Sequence, residues 1–265
     1  MLEFDFNQVC HTEFGLGRDD GNGRTFCLIA VDGGVQDALR EMAEATWVAM
    51  RDLTDNPARY DPSEKHASVA YLHLPLVDEL AISMRVLQEA HNIPFDPMIL
   101  NNPESVFCYF ARFMDIQGRR LTALRRATQF KGILKSRLIR FDTNALEIVE
   151  DSIFKLDTDF DLLIDAQNVY VLRPSGFEFT GQLQEAIMAA VPKNVAALKV
   201  DLGFVDFDVI ESYARRHPRA ARYLASIHSQ AESRNIDPSC LTRLCTHTGV
   251  ETAVVNEKLW SMKTT

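Results

Sequence analysis

Residues 106–114, VFCYFARFM, present almost no polar face. A half-buried strand alternates apolar and polar side chains with a period of two, so a run this uniform reads as a strand covered on both faces, in the interior of a sheet. Asp115-Ile-Gln-Gly118 then supplies a tight turn, and Arg119–Ala127 is expected to return antiparallel. This pair sets the frame into which the other elements must fit.

Before it, an apolar run around Phe14 and a β-prone stretch from Thr25 to Val31 flank GLGRDDGNG, which reads as a hairpin turn. A Gly-x-Gly at this place does not make a dinucleotide loop, because that motif must open a helix and the residues after Gly23 favour a strand. Val35, Leu39, Met42, Ala43, Thr46, Met50 and Leu53 follow at helical spacing, with Asp32 as the expected cap and Arg51 at the end that favours a cation. Residues 54–68 are polar with two prolines and read as a loop. Val69–Leu74 is a short strand, and Pro75 suits the first turn of a second helix carrying Leu76, Leu80, Met84 and Leu87.

After the central pair, strands are expected at Arg137–Phe141 and Ser152–Leu156. A hairpin should follow from Phe160–Ile164 and Val169–Leu172 around Asp165–Asn168. The pattern turns helical at Arg173-Pro174. Ser175-x-x-Glu178 resembles a capping box, Leu183, Ala186, Ile187, Ala190 and Val191 keep helical spacing, and further helices are expected near 206–217, 219–233 and 238–247. The fold class is therefore α+β: a mainly antiparallel mixed sheet with packed helices over residues 1–174, then an α-helical part over 175–265.

Charge is strongly segregated. Residues 112–140 hold Arg112, Arg119, Arg120, Arg125, Arg126, Lys131, Lys135, Arg137 and Arg140 against one acid, Asp115, in a chain of net charge −9. That segment is +8 and the rest of the chain −17. Local potential decides whether a polyanion can dock, and Arg suits bidentate phosphate contact. Residues 141–165 reverse the sign: Asp142, Glu147, Glu150, Asp151, Asp157, Asp159, Asp161 and Asp165 face only Lys155. The basic residues can serve a nucleic-acid surface, neutralise the acidic run within a subunit or across a homodimer, or hold a small anion. A second cluster, Arg215, Arg216, His217, Arg219 and Arg222, brackets Pro218 and either extends a polyanion track or covers helix ends.

No catalytic signature accompanies these charges, and no cofactor or metal is expected. Asp157-x-Asp159-x-Asp161 opens like a calcium loop, but Leu162 replaces the required Gly and Asn168 the required Glu. The three carboxylates read as a solvated strand edge, with a metal-dependent nuclease as the alternative. Cys240, Cys245 and His247 make only half of a zinc site. Five scattered cysteines without a CxxC, an acidic amino terminus and the lack of a long apolar run point to a cytoplasmic protein that does not insert into a membrane.

The stretches FCYFARFMDIQGRRLTALRRATQFKGILKSRLIRF and FKLDTDFDLLIDAQNVYVLRPSGFEF resemble KwaB-like proteins, the soluble component of the bacterial Kiwa anti-phage system. The likeness extends through EFGLGR and VQDALREMAEAT and covers roughly residues 10–230. It implies a cytoplasmic DNA-binding protein, and the missing catalytic signature makes a DNA-binding module without chemistry of its own the first expectation. It also implies a homodimer that works with a small membrane-embedded partner. It assigns no residue; the basic residues named above come from charge alone. The competing classes are a nuclease built on the 157–165 carboxylates and a protein-interaction scaffold.

Overall fold

The computed structural model describes residues 2–21, 23–54, 56–64, 66, 71–97, 105–127, 138–142, 145–149, 156–201, 207–234, 243, 252–255 and 258–261. The chain forms two compact units, one of Met1–Arg59 with Ser68–Gly181 and the other of Tyr60–Ala67 with Gln182–Thr265.

In the first unit the strands are β1 (Val9–Asp19), β2 (Arg24–Ile29), β3 (Ala58–Arg59), β4 (Leu72–Pro75), β5 (Val106–Asp115), β6 (Arg120–Arg126), β7 (Leu138–Asp142), β8 (Ala145–Val149), β9 (Leu162–Ile164) and β10 (Asn168–Val171). Eight of them build one sheet in the order β2-β1-β5-β6-β9-β10-β4-β3. Every pair is antiparallel except β3 with β4. The uniformly apolar β5 lies between β1 and β6, the interior place its sequence demanded. Its turn is fastened by the buried Asp115, whose carboxylate accepts from the amides of Gln117 and Arg119, both at 2.9 Å, while Gly118 takes φ of 77°.

Strand alternation sorts the core. Phe14, Leu16, Tyr109, Ala111, Phe113, Leu121, Ala123 and Leu163 face one way, into one cluster with Leu39, Met42, Ala43 and Met50 of α1 (Gly33–Leu53). Asp32 caps that helix, accepting from the Val35 amide at 2.8 Å. Thr46 ties it to the chain entering β9, donating to the Met42 carbonyl at 2.7 Å and accepting from the Phe160 amide at 2.8 Å.

Several expectations change. Gly15 and Gly17 lie inside β1, not in the turn. A Cβ on Gly15 would overlap the Phe110 ring and sit 2.6 Å from the Cys27 carbonyl oxygen. Close packing, not turn geometry, requires glycine there. Pro75 ends β4 and starts no helix. A single 3-10 turn, Glu79–Ala81, is capped instead by Asp78, which accepts from the Leu80 amide at 3.0 Å, and leads into α2 (Ile82–Glu89). The fixed φ of proline suits a strand end as well as a helix start, and the Asp78 carboxylate decides where the helix begins. β6 of the basic segment and β9 of the acidic one are neighbours in the eight-stranded sheet, whereas β7 and β8 pair with each other and, among the described residues, neither joins that sheet. Of the strand expected at 152–156, residues 152–155 lie outside the described residues. Ser175 forms no capping box, because α3 (Pro174–Thr180) takes Arg173 as its N-cap residue and Pro174 as its first turn.

The second unit holds α4 (Gln184–Ala189), α5 (Val191–Asp201), α6 (Phe207–Ala214) and α7 (Pro218–Arg234), followed by a hairpin of β11 (Thr252–Val255) and β12 (Lys258–Ser261). That hairpin is absent from the sequence reading, since two four-residue strands carry too little periodicity to register. The helix expected near 238–247 lies almost wholly outside the described residues, as do Cys240, Cys245 and His247.

Residues 60–64 and 66 belong to this unit as a strap. Arg222 donates to the carbonyls of Pro62 (3.2 Å) and Glu64 (3.0 Å) and to the Tyr60 hydroxyl (3.1 Å). Lys193 donates to Asp61 at 3.0 Å and Ser63 at 2.9 Å. Burial pushes the Asp61 carboxyl up, but the Ser63 hydroxyl and amide and the Lys193 ammonium outweigh it and hold the pKa down at about 2. The stabilisation is therefore full above the ordinary carboxylate pKa of about 4 and is lost as pH falls through the folded value. The side chain is partly exposed, so we expect a loss of about 1 kcal/mol or less. Thermal melts of wild type and Asp61→Asn between neutral and strongly acidic pH test this, the variant losing that acid-sensitive component.

Candidate nucleic-acid interface

Among the nine basic residues of the 112–140 segment, those whose side chains the structure describes do not share one environment. Arg112, on β5, is 8% exposed and donates to the Ala90 carbonyl at 2.7 Å, with Glu13 at 3.5 Å. Burial lowers its pKa and Arg120 adds to that, while Glu13 opposes. Arg119 belongs to the β5–β6 turn and donates to the buried Asp115 at 2.6 Å.

Arg125 stands at the centre of an ion cluster. It donates to Asp157 (3.1 Å), Asp159 (2.9 Å) and Asp161 (3.1 Å). Arg173 reaches the same group, donating to Asp159 at 2.6 Å and to the Phe160 carbonyl at 3.1 Å, with Asp161 at 3.6 Å. The Tyr109 hydroxyl donates to Asp157 at 3.0 Å, and the Arg126 amide donates to Asp161 at 2.8 Å. Burial pushes the Asp161 carboxyl above its ordinary pKa, Asp159 adds to the rise, and the Arg126 amide, Arg125 and Arg173 work against it. Burial disfavours the Arg173 charge, but its bond to Asp159 and the fields of all three carboxylates more than compensate and raise its pKa.

The solvated strand edge expected for these acids is corrected on this point. β9 begins only at Leu162, Asp161 is 3% exposed, and the preceding residues form an irregular segment folded onto Arg125. Guanidinium groups stand where a cation would sit, and among the described residues no three His, Cys, Asp or Glu side chains are grouped as a metal needs.

Arg120 and Arg126 differ from these three. Arg120 opens β6 and is exposed. Arg126 ends the strand with its guanidinium 3.8 Å from the centroid of Phe179, whose ring also lies 5.1 Å from Arg24. Among the described residues no carboxylate pairs with either. Arg120 and Arg126 are an even number of residues apart on β6 and share a face, whereas Arg125 points to the other. Arg140 lies on β7, in backbone register with Glu147 of β8. Lys131, Lys135 and Arg137 lie outside the described residues. Sequence reasoning missed Arg24, Tyr109, Arg173 and Phe179. Each is distant along the chain from the residues it joins, so no local spacing marks it.

The sequence profile of the family described as Kiwa protein KwaB-like matches residues 108–253, more than half of the chain. The chain belongs to the Kiwa KwaB-like family. It is thus a component of Kiwa anti-phage defence, a system of more than one protein. The matched region begins on β5 and contains the whole ion cluster and all nine basic residues. No curated protein and no solved structure matches the chain significantly. Among the described residues no helix is long and apolar enough to cross a membrane.

Proposed function

We propose that this KwaB-like protein binds DNA through phosphate contacts, with little sequence preference and without cutting it. The supporting observation is the division within the basic segment. Arg112, Arg119 and Arg125 bond to Glu13, Asp115 and the Asp157–Asp161 carboxylates. Among the described residues the guanidinium groups of Arg120 and Arg126 meet no carboxylate, and β6 leads from them into Lys131, Lys135, Arg137 and Arg140. The first three stabilise the fold and the other six meet phosphate. Phosphate contacts fix position without reading bases, which accords with the lack of a recognition-helix motif. In the defence system we assign the protein to the cytoplasm as a homodimer acting with a small membrane-embedded partner, as the family resemblance implies.

Mobility-shift titrations at two salt concentrations test this reading. With about six phosphates engaged, log affinity should fall with log salt at a slope near −5, and Arg120→Ala with Arg126→Ala should flatten it by about 2 on every duplex sequence tried. Salt-insensitive binding, or cleavage of the DNA when Mg²⁺ or Mn²⁺ is added, would overturn it.

A further inference from the structure

The second basic cluster remains outside that reading. Residues 212–223, SYARRHPRAARY, contain four Arg, one His and no acid, in a chain of net charge −9. They form the corner between α6, which ends at Ala214, and α7, which begins at Pro218. Arg222 is used internally on the strap. Arg215, Arg216, His217 and Arg219 are exposed. Arg215 shares Glu211 at 2.7 Å with its side chain still 55% exposed, and Arg216 donates to the Ser212 carbonyl at 3.1 Å.

Covering a helix end accounts for Arg215 and Arg216, which follow the C-terminus of α6, where a cation is favoured. It does not account for Arg219. That residue lies in the first turn of α7, where the macrodipole opposes a cation, and no carboxylate among the described residues pairs with it. Aromatic rings are interleaved with these charges. Tyr213 is 55% exposed and stacks on His217 with ring centroids 4.1 Å apart, and Tyr223 is 70% exposed. Tyr223 follows Arg219 by four residues, so the two share a helix face. Guanidinium groups with open aromatic faces are what an unpaired strand needs: charge along its backbone and a surface on which bases stack.

We propose that the α6–α7 corner binds a single-stranded stretch of DNA, with Arg216 and Arg219 on phosphates and Tyr223 under a base. This rests on the DNA-binding reading above and extends it to a second surface and to unpaired strands.

Fluorescence anisotropy with a labelled oligothymidylate of about twenty nucleotides tests it on the full chain, after circular dichroism shows each variant folded. Tyr223→Ala should weaken binding about tenfold. Arg216→Gln with Arg219→Gln should flatten the salt slope by about 1.4. Unchanged single-strand binding in these variants, with Arg120→Ala/Arg126→Ala still weakening duplex binding, overturns this proposal and leaves the β6 surface standing. Insensitivity of both sets overturns both readings. Corner variants that lose phosphatidylserine-vesicle binding while keeping DNA binding overturn the assignment in favour of a lipid surface.

Discussion

Arg125→Ala is expected to lower the unfolding free energy of the first unit by about 3–5 kcal/mol, the cost of stripping one partner from a buried ion cluster. Three carboxylates converge on this guanidinium, and Asp161 among them is almost fully buried. Without it, Arg173 is the one cation among the described residues left against three negative charges. Urea unfolding should show a fall in midpoint with an unchanged slope. Adding Asp157→Asn and Asp159→Asn should restore part of the loss, because the mutual repulsion disappears with the charges.

The pH dependence has a definite sign. Burial already holds the Asp161 proton to higher pH in the folded than in the unfolded chain, and losing Arg125 strengthens this. Stability should then fall as pH rises from the ordinary carboxylate range, near 4, through the raised value, so the variant is least impaired in mild acid. A variant that melts like wild type but binds DNA weakly would instead return Arg125 to the interface.

Gly15→Ala should cost about 3 kcal/mol, near the upper end of the usual overpacking penalty. Gly15 pairs with Phe110 on one side and Leu28 on the other, in the middle of the three-strand stack β2-β1-β5. The added methyl would meet the Phe110 ring and the Cys27 carbonyl, and a paired strand backbone cannot retreat. Phe110 is itself fully buried, so its ring has nowhere to turn. Thermal denaturation checks this. A companion Phe110→Leu change in the Gly15→Ala background should recover stability relative to Gly15→Ala alone if ring overlap is the cause. A melting temperature equal to wild type in Gly15→Ala would show that the strand can part there after all.

Elements whose signal is local were legible. The amphipathic stripe of α1, its Asp32 cap, the apolar β5 and the Asp165–Asn168 hairpin all follow from neighbours a few residues apart. Places where two local rules competed were not. Pro75 fits both a strand end and a helix start, and a cap three residues later made the choice. Ser175 and Glu178 have capping-box spacing, yet Pro174 takes the first turn. Gly15 of GLGR resembles a turn residue because the Phe110 ring it accommodates is 95 residues away along the chain.

The candidate site divides the same way. By itself the sequence determined that basic charge is concentrated in 112–140, that acids follow it, and that the chain resembles KwaB-like proteins. All of these are properties of residue order. Only the tertiary structure decided which arginines belong to the fold. Adjacent residues on a strand point to opposite faces, so Arg125 and Arg126 were bound to differ, but which one meets acids depends on where 157–161 folds back. That segment brings three carboxylates to Arg125 and leaves Arg126 on an aromatic ring. Long-range ion pairing has no spacing rule, since Coulomb attraction follows distance in space and not along the chain.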